Sequence, residues 1–255
     1  MAHIQTEKSE GVLRIEFNRP EKKNAITAAM YQGLADALLD AQSDEEVRVV
    51  FVHGKPEAFT AGNDLQDFIA DPPQDESHPV FAFLCALRDF RKPIVAAVSG
   101  PAVGIGTTML LHCDLVYAAP EAKFALPFVN LALCPEAGSS YLLPRLAGYA
   151  RAAELLLLGE PFSAAHAHEI GLINAIVPLE QLIAVGAAAA RKLAQKPPAS
   201  VQATKALMRA SLMAGIDSAM AAENRVFRER LVSAEAKEAF SAFLEKRTPD
   251  FNKFS

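Results

Sequence analysis

An α/β fold with a parallel sheet covered on both faces is what this chain predicts, and three observations predict it. Short apolar runs at 47–52, 94–98 and 115–119 lack the polar alternation of a half-solvated strand, so both of their faces are buried. Segments with helical spacing, 80–87 and 107–111, stand between them, and this strand–helix–strand order argues a βαβ sheet. Beyond Val177 the pattern is helical only. The 255 residues, 51% hydrophobic, suffice for one broad core. The expected division is a site-bearing core over 1–196 and a helical region over 197–255.

Taken in order, residues 4–17 alternate as two short strands around Ser9-Glu10-Gly11, a hairpin signal. Thr27 is a good N-cap, and Met30, Leu34, Ala37, Leu38 and Ala41 recur after it at helical spacing. The stretch from Asp71 to Pro79, with three prolines and three acids, predicts a loop. It is either a gate over the neighbouring site or a surface loop without a role. Helices are expected at 179–196, 201–214, 216–232 and 235–244, divided by Pro197-Pro198 and by Gly215. The alanine-rich run at 186–190 calls for close helix neighbours.

A net charge of −5 and a pI near 5.7 argue against a nucleic-acid surface, which needs clustered Lys and Arg. Cys85, Cys113 and Cys134 are odd in number and set in apolar contexts, so they are expected to be reduced core residues, with no metal site. No basic segment with an apolar stretch opens the chain, and no apolar run approaches the ~20 residues of a membrane span. The last residues, Asn252-Lys253-Phe254-Ser255, are not the Ser-Lys-Leu address. The expected location is the cytoplasm. Gly104-Ile105-Gly106 lacks the third glycine of a dinucleotide loop, and Ser139-Ser140 lacks the second glycine of a nucleophile elbow. His166 and His168 point apart on a helix, which disfavours zinc.

Two glycine-bearing segments are the most informative. Ala61-Gly62-Asn63-Asp64-Leu65 and Gly100-Pro101-Ala102-Val103-Gly104-Ile105-Gly106 each lie between an apolar strand run and a plausible helix. Glycine lets a backbone approach a ligand closely, and the first N–H groups of a helix lack partners. Two such groups aimed at one carbonyl oxygen make an oxyanion hole. Either segment alone also fits a plain strand-to-helix turn.

Further stretches fall in order around them: Asn18-Arg19-Pro20-Glu21-Lys22-Lys23-Asn24-Ala25, Lys92-Pro93-Ile94-Val95, Cys113-Asp114-Leu115-Val116, Gly159-Glu160-Pro161-Phe162 and Gly171-Leu172-Ile173-Asn174. Over nearly its whole length the chain thus resembles the crotonase superfamily of enoyl-CoA hydratases and isomerases. The resemblance implies a crotonase-like fold of repeated ββα units, with a mostly parallel sheet and a C-terminal helical trimerisation region. It also implies a homotrimer or hexamer, and an acyl-CoA substrate that makes a separate cofactor unnecessary. By register it places the oxyanion N–H groups at Asn63 and Ile105, and substrate or CoA contacts at Lys22, Asn24, Ala25, Ala61, Gly62, Asp64, Leu65 and Gly104. Phe243 and Lys246 are implied CoA contacts as well, although an ordinary amphipathic helix explains them equally.

The acid–base positions separate reactions within the family. Where hydratases resemble one another in two glutamates, this chain has Thr108 and Phe128, neither of which can carry a proton as a carboxylate does. Glu136, in Cys134-Pro135-Glu136-Ala137-Gly138, instead matches the single catalytic glutamate of Δ3,Δ2-enoyl-CoA isomerases of the peroxisomal type. The first loop reads Ala-Gly-Asn-Asp-Leu, as theirs does. The implied reaction moves a 3-enoyl-CoA double bond to the trans-2 position. Ring-opening isomerisation of epoxyphenylacetyl-CoA, weak hydration and a degenerate acyl-CoA-binding homologue are the alternatives. A plain structural role for Glu136 is a first-turn glutamate favoured by a helix dipole.

Overall fold

The computed structural model describes residues 3–75 and 77–254. Strands β1 (Ile4–Ser9) and β2 (Val12–Phe17) pair antiparallel, with Glu10 and Gly11 both at positive φ in the tight turn between them. Helix α1 (Ala28–Ser43) opens on the Thr27 hydroxyl, which accepts from the Met30 N–H at 3.3 Å, and buries all five residues of its apolar stripe. Strand β3 (Val49–His53), helices α2 (Leu65–Ala70) and α3 (Pro79–Asp89), and strand β4 (Ile94–Val98) follow. Strand β5 (Pro101–Val103) leads into the short helix α4 (Ile105–Thr108), and strands β6 (Leu115–Ala118) and β7 (Lys123–Ala125) come next. After them lie α5 (Ser139–Ala147), α6 (Tyr149–Leu158), β8 (Phe162–Ser163), α7 (Ala164–Glu169) and β9 (Ala175–Ile176). Helices α8 (Leu179–Ala194), α9 (Pro198–Leu231) and α10 (Ala234–Glu245) complete the chain.

The main sheet has the order β1-β2-β3-β4-β6-β9 and is parallel from β2 onward. Every residue of β3 and β4 is buried, because each face meets a different cover. Val49, Phe51, Val95 and Ala97 pack against Leu182, Ala190 and Ala194 of α8. Val50, Val52, Ile94, Ala96 and Val98 face the larger core with Met30, Leu34, Phe83 and Leu84 of α1 and α3. A second sheet, β5-β7-β8, carries the second glycine loop at its edge. The predicted mixed fold with a parallel-rich sheet is therefore what forms.

Three expectations need correction. Helix α9 runs through Gly215 without a break, as one helix of 34 residues. A Cβ at Gly215 would lie 2.0 Å from the Tyr141 ring, so this glycine makes room for a neighbour and does not end a helix. The alanine-rich run of α8 lies against the sheet: a Cβ at Gly186 would lie 2.6 Å from the Phe51 ring. Cys85 is exposed on α3, while Cys113 and Cys134 are partly buried.

Helix α9 is anchored by its side chains. Buried Lys205 donates to Asp114 Oδ2 at 2.7 Å and to the Lys92 carbonyl at 2.9 Å, while Asp114 Oδ2 also accepts from the Ile94 N–H at 2.8 Å. A buried ammonium is tolerated only when its donors are met in this way. Farther along, Ile216, Met220 and Phe227 join the main core, and that stretch faces the site.

Candidate active site

The two glycine loops lie side by side. Thr60 and Ala102 pair in parallel, with Thr60 N–H to Pro101 O and Val103 N–H to Thr60 O both at 3.0 Å. On the other side, Ile26 bonds Gly62 O at 2.8 Å and accepts from Asp64 N–H at 2.9 Å. In a parallel bridge of this kind the residue between, Asn63, turns its own N–H away from Ile26. Ile105 is the first residue of α4, where an N–H has no intrahelical partner. Gly104 sits at φ 56°, ψ −117°, a backbone shape reserved in practice for glycine, and a Cβ there would meet nothing within 4 Å. Gly62, at φ 84°, differs: a Cβ would lie 2.8 Å from the Val103 carbonyl. Gly62 is required by loop packing, and Gly104 keeps space open.

That space belongs to a cavity of about 660 Å³. Ala61, Gly62, Asn63, Asp64 and Leu65 line it from the first loop, and Val103, Gly104 and Ile105 from the second. Its apolar wall includes Phe68, Phe81, Leu84, Phe128, Leu133 and Phe227. Lys22, Ala25, Phe243 and Arg247 also line it. Glu136 faces this cavity, 9% exposed.

The environment of Glu136 is unusual for a carboxylate. Thr108 Oγ1 donates to its Oε1, and no other side chain among the described residues hydrogen-bonds to its carboxyl. Burial pushes its pKa up to about 8; the Thr108 hydrogen bond opposes the shift and the Glu223 charge adds to it. The helix-dipole role fails on geometry, because the start of α5 is taken by another acid. Glu223, from α9, accepts from Gly138 N–H at 2.6 Å, Ser140 N–H at 2.9 Å and Ser140 Oγ at 2.5 Å.

Eleven of the implied site residues thus share one cavity: Lys22, Ala25, Ala61, Gly62, Asn63, Asp64, Leu65, Gly104, Ile105, Glu136 and Phe243. Two do not. Asn24 is fully buried behind the wall; its amide donates to the Ala58 and Phe59 carbonyls, and its Oδ1 accepts from Arg19 N–H at 2.8 Å. With all its polar atoms used inside the protein, Asn24 braces the loop and does not line the cavity. Lys246 caps α10 in a left-handed conformation and lies outside the lining. Of the loop from Asp71 to Pro79, Glu76 lies outside the described residues, and His78 caps α3 through Nδ1.

Sequence reasoning missed three supporting residues. Tyr31, buried on α1 at a position indistinguishable by spacing from core, donates its hydroxyl to Asn63 Oδ1 and lines the cavity. Arg19 ties the first loop through Asp64 Oδ2 at 2.7 Å and the Ala25 carbonyl at 2.8 Å. Glu223 carries no sequence signal, being 85 residues from Gly138.

The profile of the family described as enoyl-CoA hydratase/isomerase matches residues 7–253. The chain belongs to the enoyl-CoA hydratase/isomerase family. It is 36% identical over 258 residues to the 1,2-epoxyphenylacetyl-CoA isomerase of Escherichia coli K12, with 98% of both chains covered. It is 37% identical over 243 residues to enoyl-CoA delta isomerase 2 of Rattus norvegicus, covering 93% of this chain and 62% of that one. A solved structure of Pseudomonas aeruginosa OdaA superposes with a TM-score of 0.93 at 46% identity, covering 96% of this chain and 99% of that one. This enoyl-CoA hydratase/isomerase family member therefore carries the family's fold over nearly its whole length, and the family's description spans both hydration and isomerisation.

Proposed function

We propose that the protein is a Δ3,Δ2-enoyl-CoA isomerase that uses one carboxylate as both acid and base. The observation that carries this reading is Glu136: among the described residues a single cavity-facing glutamate beside both glycine loops, with Thr108 and Phe128 at the two positions where hydratases resemble one another in carrying acids. The thioester oxygen is taken to lie between the N–H groups of Asn63 and Ile105. Their field acidifies C2 of a 3-enoyl-CoA; Glu136 removes that proton, the oxyanion donors hold the dienolate, and the protonated Glu136 returns the proton at C4. A carboxyl with a pKa near working pH suits both halves, since it must take and then release one proton. The coenzyme A thioester is the substrate, and no further cofactor enters the scheme. Phe243 contributes to CoA binding in this reading.

Incubation with cis- and trans-3-enoyl-CoA of several chain lengths is expected to produce the ultraviolet absorbance of the conjugated thioester. The same protein is expected to form negligible 3-hydroxyacyl-CoA from crotonyl-CoA, because Thr108 and Phe128 occupy the positions of both hydratase acids. Robust hydration without isomerisation would overturn the proposal. The similarity to the E. coli isomerase favours one second reading, ring-opening of an epoxyphenylacetyl-CoA, in which Glu136 would serve the same face of the substrate. Loss of that epoxide without conjugation of any 3-enoyl-CoA would select it.

We also propose a homotrimer or a dimer of trimers, acting in the cytoplasm. Leu146, Tyr149, Leu157 and Leu158 on α5 and α6 are all exposed, Tyr149 by 79%, as are Leu207 and Met208 on α9. Apolar side chains in such number suit burial against another subunit. Light scattering is expected to give three or six times 27.4 kDa; a monomer at micromolar concentration would refute it.

A further inference from the structure

Glu136 is followed by two residues in left-handed conformation, Ala137 at φ 59° and Gly138 at φ 71°, and then by α5. Such a turn exposes consecutive N–H groups, and a helix start adds partial positive charge, so together they attract an anion. The nearest carboxylate along the chain is Glu136 itself. It does not bind there: its side chain goes to Thr108, and only its backbone carbonyl joins the turn, accepting from Ser139 N–H at 3.1 Å and Ser139 Oγ at 2.6 Å. The anion comes from α9 as Glu223, which is 6% exposed. Its Oε2 accepts from Gly138 N–H, and its Oε1 accepts from both the N–H and the hydroxyl of Ser140. Burial raises the Glu223 carboxyl above its ordinary range and the bonds from Ser140 and Gly138 oppose that shift; three accepted bonds on two oxygens fit the ionised form.

We infer that Glu223 is a positioning residue: by filling the anion site at the start of α5 it locks the Ala137–Gly138 turn and leaves the Glu136 carboxyl facing the cavity, held by Thr108 alone. This rests on the reading of Glu136 as the acid–base group. With Glu223 absent, the free donors lie one turn from Glu136 and compete for its carboxylate. Engagement there would swing Glu136 away from the substrate and stabilise its charged form, making it a weaker base. The other titratable groups facing Glu136 are Tyr31 of α1 and Cys134 of its own segment; His112, behind the turn, donates from Nε2 to the Ala137 carbonyl at 2.7 Å. All three stay uncharged near neutral pH: burial raises the Tyr31 hydroxyl and the Cys134 thiol, and lowers His112 to about 4. Glu223 is thus the charge whose removal Glu136 feels.

The test is Glu223→Gln, which preserves shape and removes the charge. Two quantities are read: the pH at which Glu136 titrates, by carbon-13 NMR of labelled glutamate carboxyls with Glu136→Gln as assignment control, and the split of kcat from KM. The Glu136 titration is expected to fall by about one pH unit, and kcat by roughly tenfold at unchanged KM. A folded Glu223→Gln protein with an unmoved Glu136 titration overturns the inference, whatever its Tm. If Glu223→Gln does not fold, Ser140→Ala, which deletes one donor to the carboxylate, decides: a several-fold fall in kcat at constant KM supports the lock, and unchanged kcat overturns it. The titration is read without turnover. An active Glu136→Gln enzyme would therefore remove the acid–base role of Glu136 while leaving the electrostatic link to Glu223 to be judged separately.

Discussion

Glu136→Gln is expected to lower isomerase kcat by at least ~100-fold while the affinity for the CoA thioester stays nearly unchanged, since a positioned proton carrier contributes about 10²–10⁴-fold. Glutamine keeps the volume and an oxygen that accepts from Thr108, so the cavity wall is preserved. The pH dependence follows from the same burial. Glu136 must be ionised to accept the C2 proton, so kcat/KM is expected to rise with pH through about 8 and not through the ordinary carboxylate range. The stability consequence has a definite sign. The folded protein holds the Glu136 proton to a higher pH than the unfolded chain does, so stability falls as pH rises from about 4.5 to about 8. Removing the titration should therefore raise Tm by several degrees at pH 8.5 and leave it nearly unchanged at pH 4. Turnover close to that of the unsubstituted enzyme would remove Glu136 from the mechanism, and an equal Tm gain at both pH values would show that its pKa is not raised.

The second large effect is expected at Asn63, where backbone and side chain make separate claims. Asn63→Pro deletes the N–H proposed as an oxyanion donor and is expected to cost 10²–10³-fold in kcat/KM, the typical loss for one such donor. By sequence alone Asn63→Ala would be mild in every respect, because alanine offers the same N–H. Tyr31 changes that expectation. Its hydroxyl donates to Asn63 Oδ1 inside the protein, so Asn63→Ala leaves a buried donor unmet and should cost about 1–3 kcal/mol of stability while sparing turnover. Valine at the two glycines extends the test. At Gly62 it collides with the Val103 carbonyl and should unfold the loop; at Gly104 a Cβ meets nothing within 4 Å, so Tm should fall only by the strain of valine at positive φ while turnover falls further. Paired measurements of Tm and kcat/KM on the four variants separate these outcomes. A stable Asn63→Pro protein with unchanged kcat/KM would end the claim that this N–H binds the thioester oxygen.

What was legible in the sequence is what short-range chemistry determines. The hairpin at Glu10-Gly11, the Thr27 cap, the two-faced burial of β3 and β4 and the glycine loops all follow from periods, turn residues and caps, which act within a few positions. The motifs around Gly62 and Gly104 were enough to mark the two loops that line the cavity, because a positive-φ glycine between strand and helix leaves a local mark. Asn24 stood in such a motif and still proved to be a brace, since only three-dimensional contacts reveal that its amide is spent on the Ala58 and Phe59 carbonyls. Gly215 misled for the same reason: a glycine that breaks a helix and one that admits a tyrosine ring are identical until Tyr141 is in place. The environment of Glu136 belongs wholly to the tertiary structure. Its burial, its one bond to Thr108 and the occupation of the neighbouring helix start by Glu223 join α4, α5 and α9, and the free energy of a buried charge depends on those distant partners and not on its neighbours in sequence.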